Sequence, residues 1–82
     1  MFTVYILYSD SYKKTYVGFT SDLESRLRAH NEQATKGWTM KFRPWRVVYT
    51  ETFATKSEAL KKEKWLKSGV GRDFIKKQMS NW

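Results

Sequence analysis

Residues 2–30, FTVYILYSDSYKKTYVGFTSDLESRLRAH, decide how the rest of the chain is read. Two short runs within it, Val4-Tyr5-Ile6 and Tyr16-Val17-Gly18, are β-branched and aromatic, and the polar stretch Ser9 to Lys14 separates them. That pattern predicts two antiparallel strands joined by a loop somewhat longer than a tight turn. In the first strand Phe2, Val4, Ile6 and Tyr8 share one face, and Thr3, Tyr5 and Leu7 the other. Apolar residues stand on both faces, so this strand is expected at the centre of its sheet, covered on both sides. Gly18 weakens the second strand and marks a place where a ligand or another part of the chain approaches closely.

A helix is expected next. Ser21-Asp22-Leu23-Glu24 reads as a capping box, with Ser21 as N-cap and Glu24 at N3. Leu23, Leu27, His30 and Ala34 then form one stripe at helical spacing, with Arg26 on its border and Glu24, Arg28 and Asn31 on the presumed solvent side. Thr35 to Arg43 shows no period and reads as a loop. Pro44 is expected to open a third strand, Arg46 to Phe53. Thr55-Lys56-Ser57-Glu58 is a second capping box and starts a helix on which Ala59, Leu66 and Val70 line up, with Leu60 at the edge. Gly69 is expected to end that helix as a C′ glycine. After Gly71 the spacing of Phe74, Ile75, Gln78, Met79 and Trp82 predicts a short third helix that docks by its apolar side. The order is β-β-α-β-α-α. It describes an α+β fold, a three-stranded, mostly antiparallel sheet flanked by helices, read as one domain over residues 1–82.

Composition narrows the partners. Sixteen Lys and Arg against eight Asp and Glu give a net charge of +8, which points to a polyanion and to nucleic acid first. The plainer explanation is a solvated basic surface, since the cations are spread through most of the chain. No cysteine is present, so neither a disulfide framework nor a thiolate metal site holds the fold. No apolar run reaches the ~18 residues of a membrane span. The N-terminus enters a strand pattern directly, without a basic region or cleavage site, and a cytoplasmic protein with no membrane partner is expected.

Several polar residues fall where an ordinary fold would not put them. Glu58 has a local task as the N3 partner of Thr55, whereas Glu63 lies on the buried stripe between Ala59 and Leu66. A carboxylate there must be paired or bind a metal. Lys67, one turn on, offers an ion pair, and a hard divalent cation such as Mg²⁺ or Mn²⁺ is the equal alternative. Arg26 and His30 are i, i+4 neighbours. His30 alone is more often a hydrogen-bonded core residue than a catalyst, and Arg26 suits either solvent or a phosphate. Gly18-Phe19-Thr20-Ser21 leads into a helix start, a natural place for an anion. Tyr5 and Tyr16 are commonly plain sheet aromatics, but a phenol beside an arginine and a metal could become acidic enough to serve as a base.

Together these residues resemble the GIY-YIG nuclease domain. Val4-Tyr5-Ile6 and Tyr16-Val17-Gly18 correspond to its two signature runs. Leu23-Glu24-Ser25-Arg26-Leu27-Arg28-Ala29-His30 is similar to its Leu-x-x-Arg-Leu-x-x-His helix, and Ala59-Leu60-Lys61-Lys62-Glu63 to its segment ending in the metal-binding glutamate. Lys67-Ser68-Gly69-Val70-Gly71-Arg72 is similar to the ending of the small stand-alone bacterial members. The resemblance covers nearly the whole chain. It implies Tyr5, Tyr16, Arg26, His30 and Glu63 as catalytic residues, Glu63 as the ligand of one Mg²⁺ or Mn²⁺, and hydrolysis of a nucleic-acid phosphodiester, with DNA the expected substrate in repair or recombination. Gly18, Thr20, Trp38, Lys41, Arg43, Lys67 and Arg72 are the expected nucleic-acid contacts. The sequence departs from the family at three points: Val4 replaces the first glycine, Phe19 stands where the excision-repair branch has lysine, and the asparagine that many larger members place after the glutamate has no secure counterpart, Asn81 being a distant candidate.

Two other functions share these features. A binding module of the same fold would use Trp38, Phe42, Arg43 and Trp45 as a stacking surface without cutting. Those rings could equally close one end of the core. A partner-binding domain would use exposed aromatics at a protein interface, and a protein partner is one source of specificity for so small a nuclease.

Overall fold

A computed structural model describes residues 1–33 and 39–82. Strands β1 (Phe2–Ser9), β2 (Lys14–Thr20) and β3 (Arg46–Phe53) form one antiparallel sheet in the order β2-β1-β3. Helix α1 (Leu23–Arg28) runs into a π-helical turn (Ala29–Gln33), and Thr39–Phe42 forms a 3₁₀ turn. Helices α2 (Lys56–Lys67) and α3 (Gly69–Met79) follow β3. The α+β class, the order β-β-α-β-α-α and the central position of β1 are as expected from the sequence.

Two apolar layers sandwich the sheet, as the two-faced pattern of β1 requires. Val4, Ile6 and Val17 pack with Ala59, Leu66 and Ile75 of α2 and α3. On the opposite face Tyr5, Leu7 and Trp45 pack with Tyr16, Leu23, Leu27 and Val47. A bulge in the pairing of β1 with β3 serves both layers. Ile6 faces Tyr49 while Leu7 faces Val47, so Val48 is the extra residue. With strict alternation Val47 and Tyr49 would share a face. The additional residue turns Val47 to the Trp45 layer and leaves Tyr49 with the α2–α3 layer. At the hairpin end Lys13 takes a left-handed conformation (φ 57), and its N–H donates to the Ser9 carbonyl.

Three helix boundaries differ from the expected ones. Asp22, not Ser21, is the N-cap of α1, its carboxylate accepting from the Ser25 N–H and from Ser25 Oγ. An aspartate fixed by two donors outcompetes the serine beside it. Gly69 does not end α2. Ser68, in extended conformation, closes α2 and its hydroxyl accepts from the Gly71 N–H as the N-cap of α3, so Gly69 is the first residue of the next helix. Gly71 is the glycine that the corner requires, because a Cβ there would collide with the backbone of Trp65 and Leu66. This sharp turn also leaves Val70 65% exposed, outside the stripe it was expected to join. Thr55 caps α2 as expected, accepting from the Glu58 N–H, and Trp82 packs against Tyr8 beyond α3.

Candidate active site

Tyr5 is the centre of the site and is 1% exposed. It is paired across the hairpin with Gly18. A Cβ on Gly18 would stand 2.6 Å from the Tyr5 hydroxyl and 2.8 Å from Cζ, so the close approach that Gly18 permits is that of this phenol. Tyr16, two residues earlier on β2, places its ring 6.4 Å from that of Tyr5. The imidazole of His30 lies 4.7 Å from the Tyr16 ring, and its Nε2 is 3.3 Å from the Tyr5 hydroxyl.

The Arg26 guanidinium, which only donates, acts on the Tyr5 oxygen. The Tyr5 hydroxyl and His30 Nε2 are within hydrogen-bond reach, and the imidazole tautomer decides which of them donates. Burial raises the Tyr5 pKa, and the charges of Tyr16 and Glu63 raise it further, while Arg26 pulls it down. Burial prevails. The arginine alone does not make the Tyr5 phenol acidic; the expectation joined it to a metal. Burial, helped by the Arg26 charge, lowers the His30 pKa below its usual 6.5 and keeps the ring neutral at physiological pH.

Glu63 belongs to α2. That helix packs on the face opposite α1, yet it also contacts β2, and Leu66 and Lys67 line a hollow with Tyr16 at the outer edge of the sheet. Glu63 acts electrostatically on the Tyr5 phenol. Its side chain is 15% exposed, and its Oε2 lies 3.5 Å from Lys67 Nζ. That spacing is loose for a charge-assisted hydrogen bond, and the lysine is half-exposed. A largely buried carboxylate held, among the described residues, by a solvent-facing ammonium suits a single-carboxylate site whose other positions are filled by water. Among the described residues no cluster of three acidic, histidine or cysteine side chains offers a fuller cage.

The expected nucleic-acid contacts divide. Lys41, Lys67 and Arg72 are exposed. Thr20 is half-buried, and its hydroxyl oxygen accepts from the Asp22 N–H, tying β2 to α1. Arg43 donates through Nε to the His30 carbonyl, so part of its guanidinium holds the site together. Trp45, offered as a stacking surface, is 3% exposed and belongs to the core. Phe42 is half-buried against Tyr12. The expected anion site at the start of α1 is taken by the Asp22 carboxylate, a negative charge already at that position. Asn81 is exposed beyond the end of α3. Trp38 and Ala34 lie outside the described residues.

A family model of the GIY-YIG catalytic domain matches residues 1–77. The chain belongs to the GIY-YIG family. This is a nuclease-type family, and nucleic acid is the substrate class that goes with it. The GIY-YIG chain is also similar to small bacterial proteins. It is 42% identical over 61 residues to a UPF0213 protein of Staphylococcus epidermidis, covering 74% of each chain. To a UPF0213 protein of Staphylococcus saprophyticus it is 46% identical over 48 residues, spanning 58% of that relative. The match spans 49% of a relative from Bacillus pumilus. A solution NMR structure of the UPF0213 protein BH0048 from Bacillus halodurans superposes with a TM-score of 0.53 at 29% identity, over 92% of this chain and 82% of that one.

One residue that holds the GIY-YIG site together was misplaced by the helical pattern. Asn31, assigned to solvent, donates to the Trp45 carbonyl at 2.9 Å and accepts from its N–H at 2.6 Å. The π-helical turn rotates it inward, where its amide completes the backbone of a buried residue. Replacing Asn31 with Ala removes both of its hydrogen bonds to the Trp45 backbone and is expected to cost about 2–3 kcal/mol in a urea denaturation. Asn31→Asp keeps the acceptor alone and is expected to fall between Asn31→Ala and the unaltered chain. A loss below about 0.5 kcal/mol for Asn31→Ala would contradict this role.

The neutral imidazole has a pH signature. The folded pKa of His30 is depressed, so the unfolded chain takes up the proton first as pH falls through 6.5. Stability is expected to drop from that point downward, before the acids whose pKa values are lowered (Asp10, Asp22 and Glu51) lose their contributions below 4.5. Thermal melts of His30→Gln should lack the first decline and keep the second.

Proposed function

We propose that this chain is a divalent-metal-dependent endonuclease that hydrolyses phosphodiester bonds of nucleic acid, with Tyr5, Tyr16, Arg26, His30 and Glu63 as its active site. The observation that carries this reading is the Tyr5 hydroxyl held between the Arg26 guanidinium and His30 Nε2, with the Glu63 charge acting on the same phenol. A cation held by Glu63, Mg²⁺ or Mn²⁺, would supply Lewis-acid polarisation of the phosphate and stabilise the departing oxygen. Arg26, an exposed residue, neutralises charge on the phosphoryl oxygens. Tyr16 lines the open hollow. It stands where the attacking water gives up its proton as the water oxygen bonds to phosphorus and the bond to the departing oxygen breaks. His30, its ring tilted against that of Tyr16 at 4.7 Å and bonded to Tyr5, fixes the directions of both phenols. Tyr5, buried and with its pKa raised, is the scaffold of the group rather than its base.

DNA is the preferred substrate class in this reading, with repair or recombination as the setting. The deciding experiment incubates the protein with branched, nicked, single-stranded and duplex DNA and with RNA, with and without Mg²⁺ or Mn²⁺. Cation-dependent cleavage that Tyr16→Phe abolishes is the expected result. Salt-sensitive binding with no cleavage of any of these would replace the nuclease by a binding module of the same fold.

A further inference from the structure

Two hollows of about 310 Å³ and 260 Å³ adjoin one another along β2, and Thr15, Arg72 and Ile75 line both. Together they form a trough between β2, the outer strand of the sheet, and α3. Its wall is apolar, made by Val17, Leu66, Ile75 and Met79. Among the described residues its charged lining is cationic: Lys67 at the end nearest Glu63, then Arg72, then Lys76, with no carboxylate in either hollow. Arg72 and Lys76 are one turn apart on α3, about 6 Å along the helix axis. Both are exposed, and Asp73 beside them lines neither hollow. Tyr16 belongs to the first hollow and to the candidate active site, so the trough opens into the reaction centre.

We propose that this trough is a substrate subsite: Arg72 and Lys76 bind phosphates of the strand next to the one being cut, and its apolar wall receives the adjoining sugar and base. The proposal rests on the nuclease reading for the position of the cut. It names where the strand runs, away from Tyr16 along α3. An apolar wall under a row of cations matches a nucleotide chain, whose charge and apolar surface alternate. An acidic peptide supplies the charge without the flat apolar partner.

The test is binding of a fluorescein-labelled DNA oligonucleotide without divalent cation, read by anisotropy over a NaCl series. The Arg72→Gln, Lys76→Gln double variant is compared with a Lys56→Gln, Lys61→Gln control, whose lysines are exposed on α2 outside the trough. The trough variant is expected to bind about tenfold more weakly at low salt, with the slope of log K against log salt shallower by about 1.5 for two lost phosphates. The control pair should change both values much less, and thermal melts should show both variants folded. A slope unchanged in the trough variant, or changed equally in the control, overturns the proposal. So does displacement of the oligonucleotide by polyglutamate as readily as by unlabelled DNA of equal charge. Because binding is read without metal, this result is independent of cleavage. Failure of the nuclease reading would instead appear as intact DNA and RNA in the metal-dependent assay, whatever the salt slope.

Discussion

Substituting Glu63 with Gln is expected to reduce Mg²⁺- or Mn²⁺-dependent cleavage by about 10²–10³-fold, the scale on which removal of a group stabilising transition-state charge is felt. The same substitution should leave the protein as stable as before or slightly more so. Glutamine has the shape of the acid and removes the cost of desolvating a charge whose side chain is only 15% exposed. What it gives up is a 3.5 Å pair with a half-exposed lysine, worth about 0.5 kcal/mol at most. Activity and stability therefore part company, which separates a ligand from a structural acid. If Glu63 were present only to pair with Lys67, Lys67→Gln would disturb stability as much as Glu63→Gln and cleavage would survive both. Rates with each cation, beside thermal melts of both variants, decide between these outcomes. Unchanged cleavage in Glu63→Gln would remove this residue from the site.

The elements that the sequence made legible are those where one local signal dominates. β1 alternates apolar residues on both faces and lies at the centre of the sheet. The Thr55–Glu58 box is strong enough to fix the start of α2, and the apolar spacing from Phe74 onward marks α3. Reading failed where two local signals competed or where the chain left regular geometry. Ser21 and Asp22 are both good caps, and only the position of Ser25 decides for the acid. Asn31 was placed by a period of 3.6, but the helix widens into a π turn after Arg28 and turns the amide inward. Gly69 looked like a helix terminator because two glycines flank Val70, and the structure uses the second of them for close packing at the corner. Trp45 carries no periodic signal at all. Its burial is imposed by Tyr16 on one side and by the Asn31 amide on its backbone.

The site shows the same division. Arg26 stands on α1 and His30 in the π turn that follows it, and the inward position of Glu63 follows the period of its helix. The direction in which Tyr5 titrates is not readable, because it depends on how far burial outweighs the guanidinium. That balance is set by packing across the sheet.

Adding a methyl group at Gly18 is expected to damage both the fold and the reaction. The new Cβ would stand 2.6 Å from the Tyr5 hydroxyl, 2.8 Å from Cζ and 3.2 Å from Tyr16 Cε1. None of these atoms is a flexible side-chain end. Tyr5 is buried, its hydroxyl engaged by Arg26 and His30, and the two rings lean on one another. Relief requires the Tyr5 ring to swing away, which breaks the bond to His30, or β2 to move away from β1. Overpacking of this kind costs about 1–3 kcal/mol. In the proposed nuclease, displacing these phenols by about 1 Å is expected to lower turnover by about 10²-fold. Gly18→Ala should therefore melt lower and cut poorly, and Gly18→Val should do worse on both counts. The origin of the damage can be checked by a double-mutant cycle. Tyr5→Phe removes the atom nearest the intruding methyl, so its combination with Gly18→Ala should be less destabilised than the two separate losses added together. Cleavage should not recover, because the hydroxyl that orients His30 is gone. Simple additivity of the two stability losses would mean that Gly18 is required by the strand itself and not by the phenol beside it.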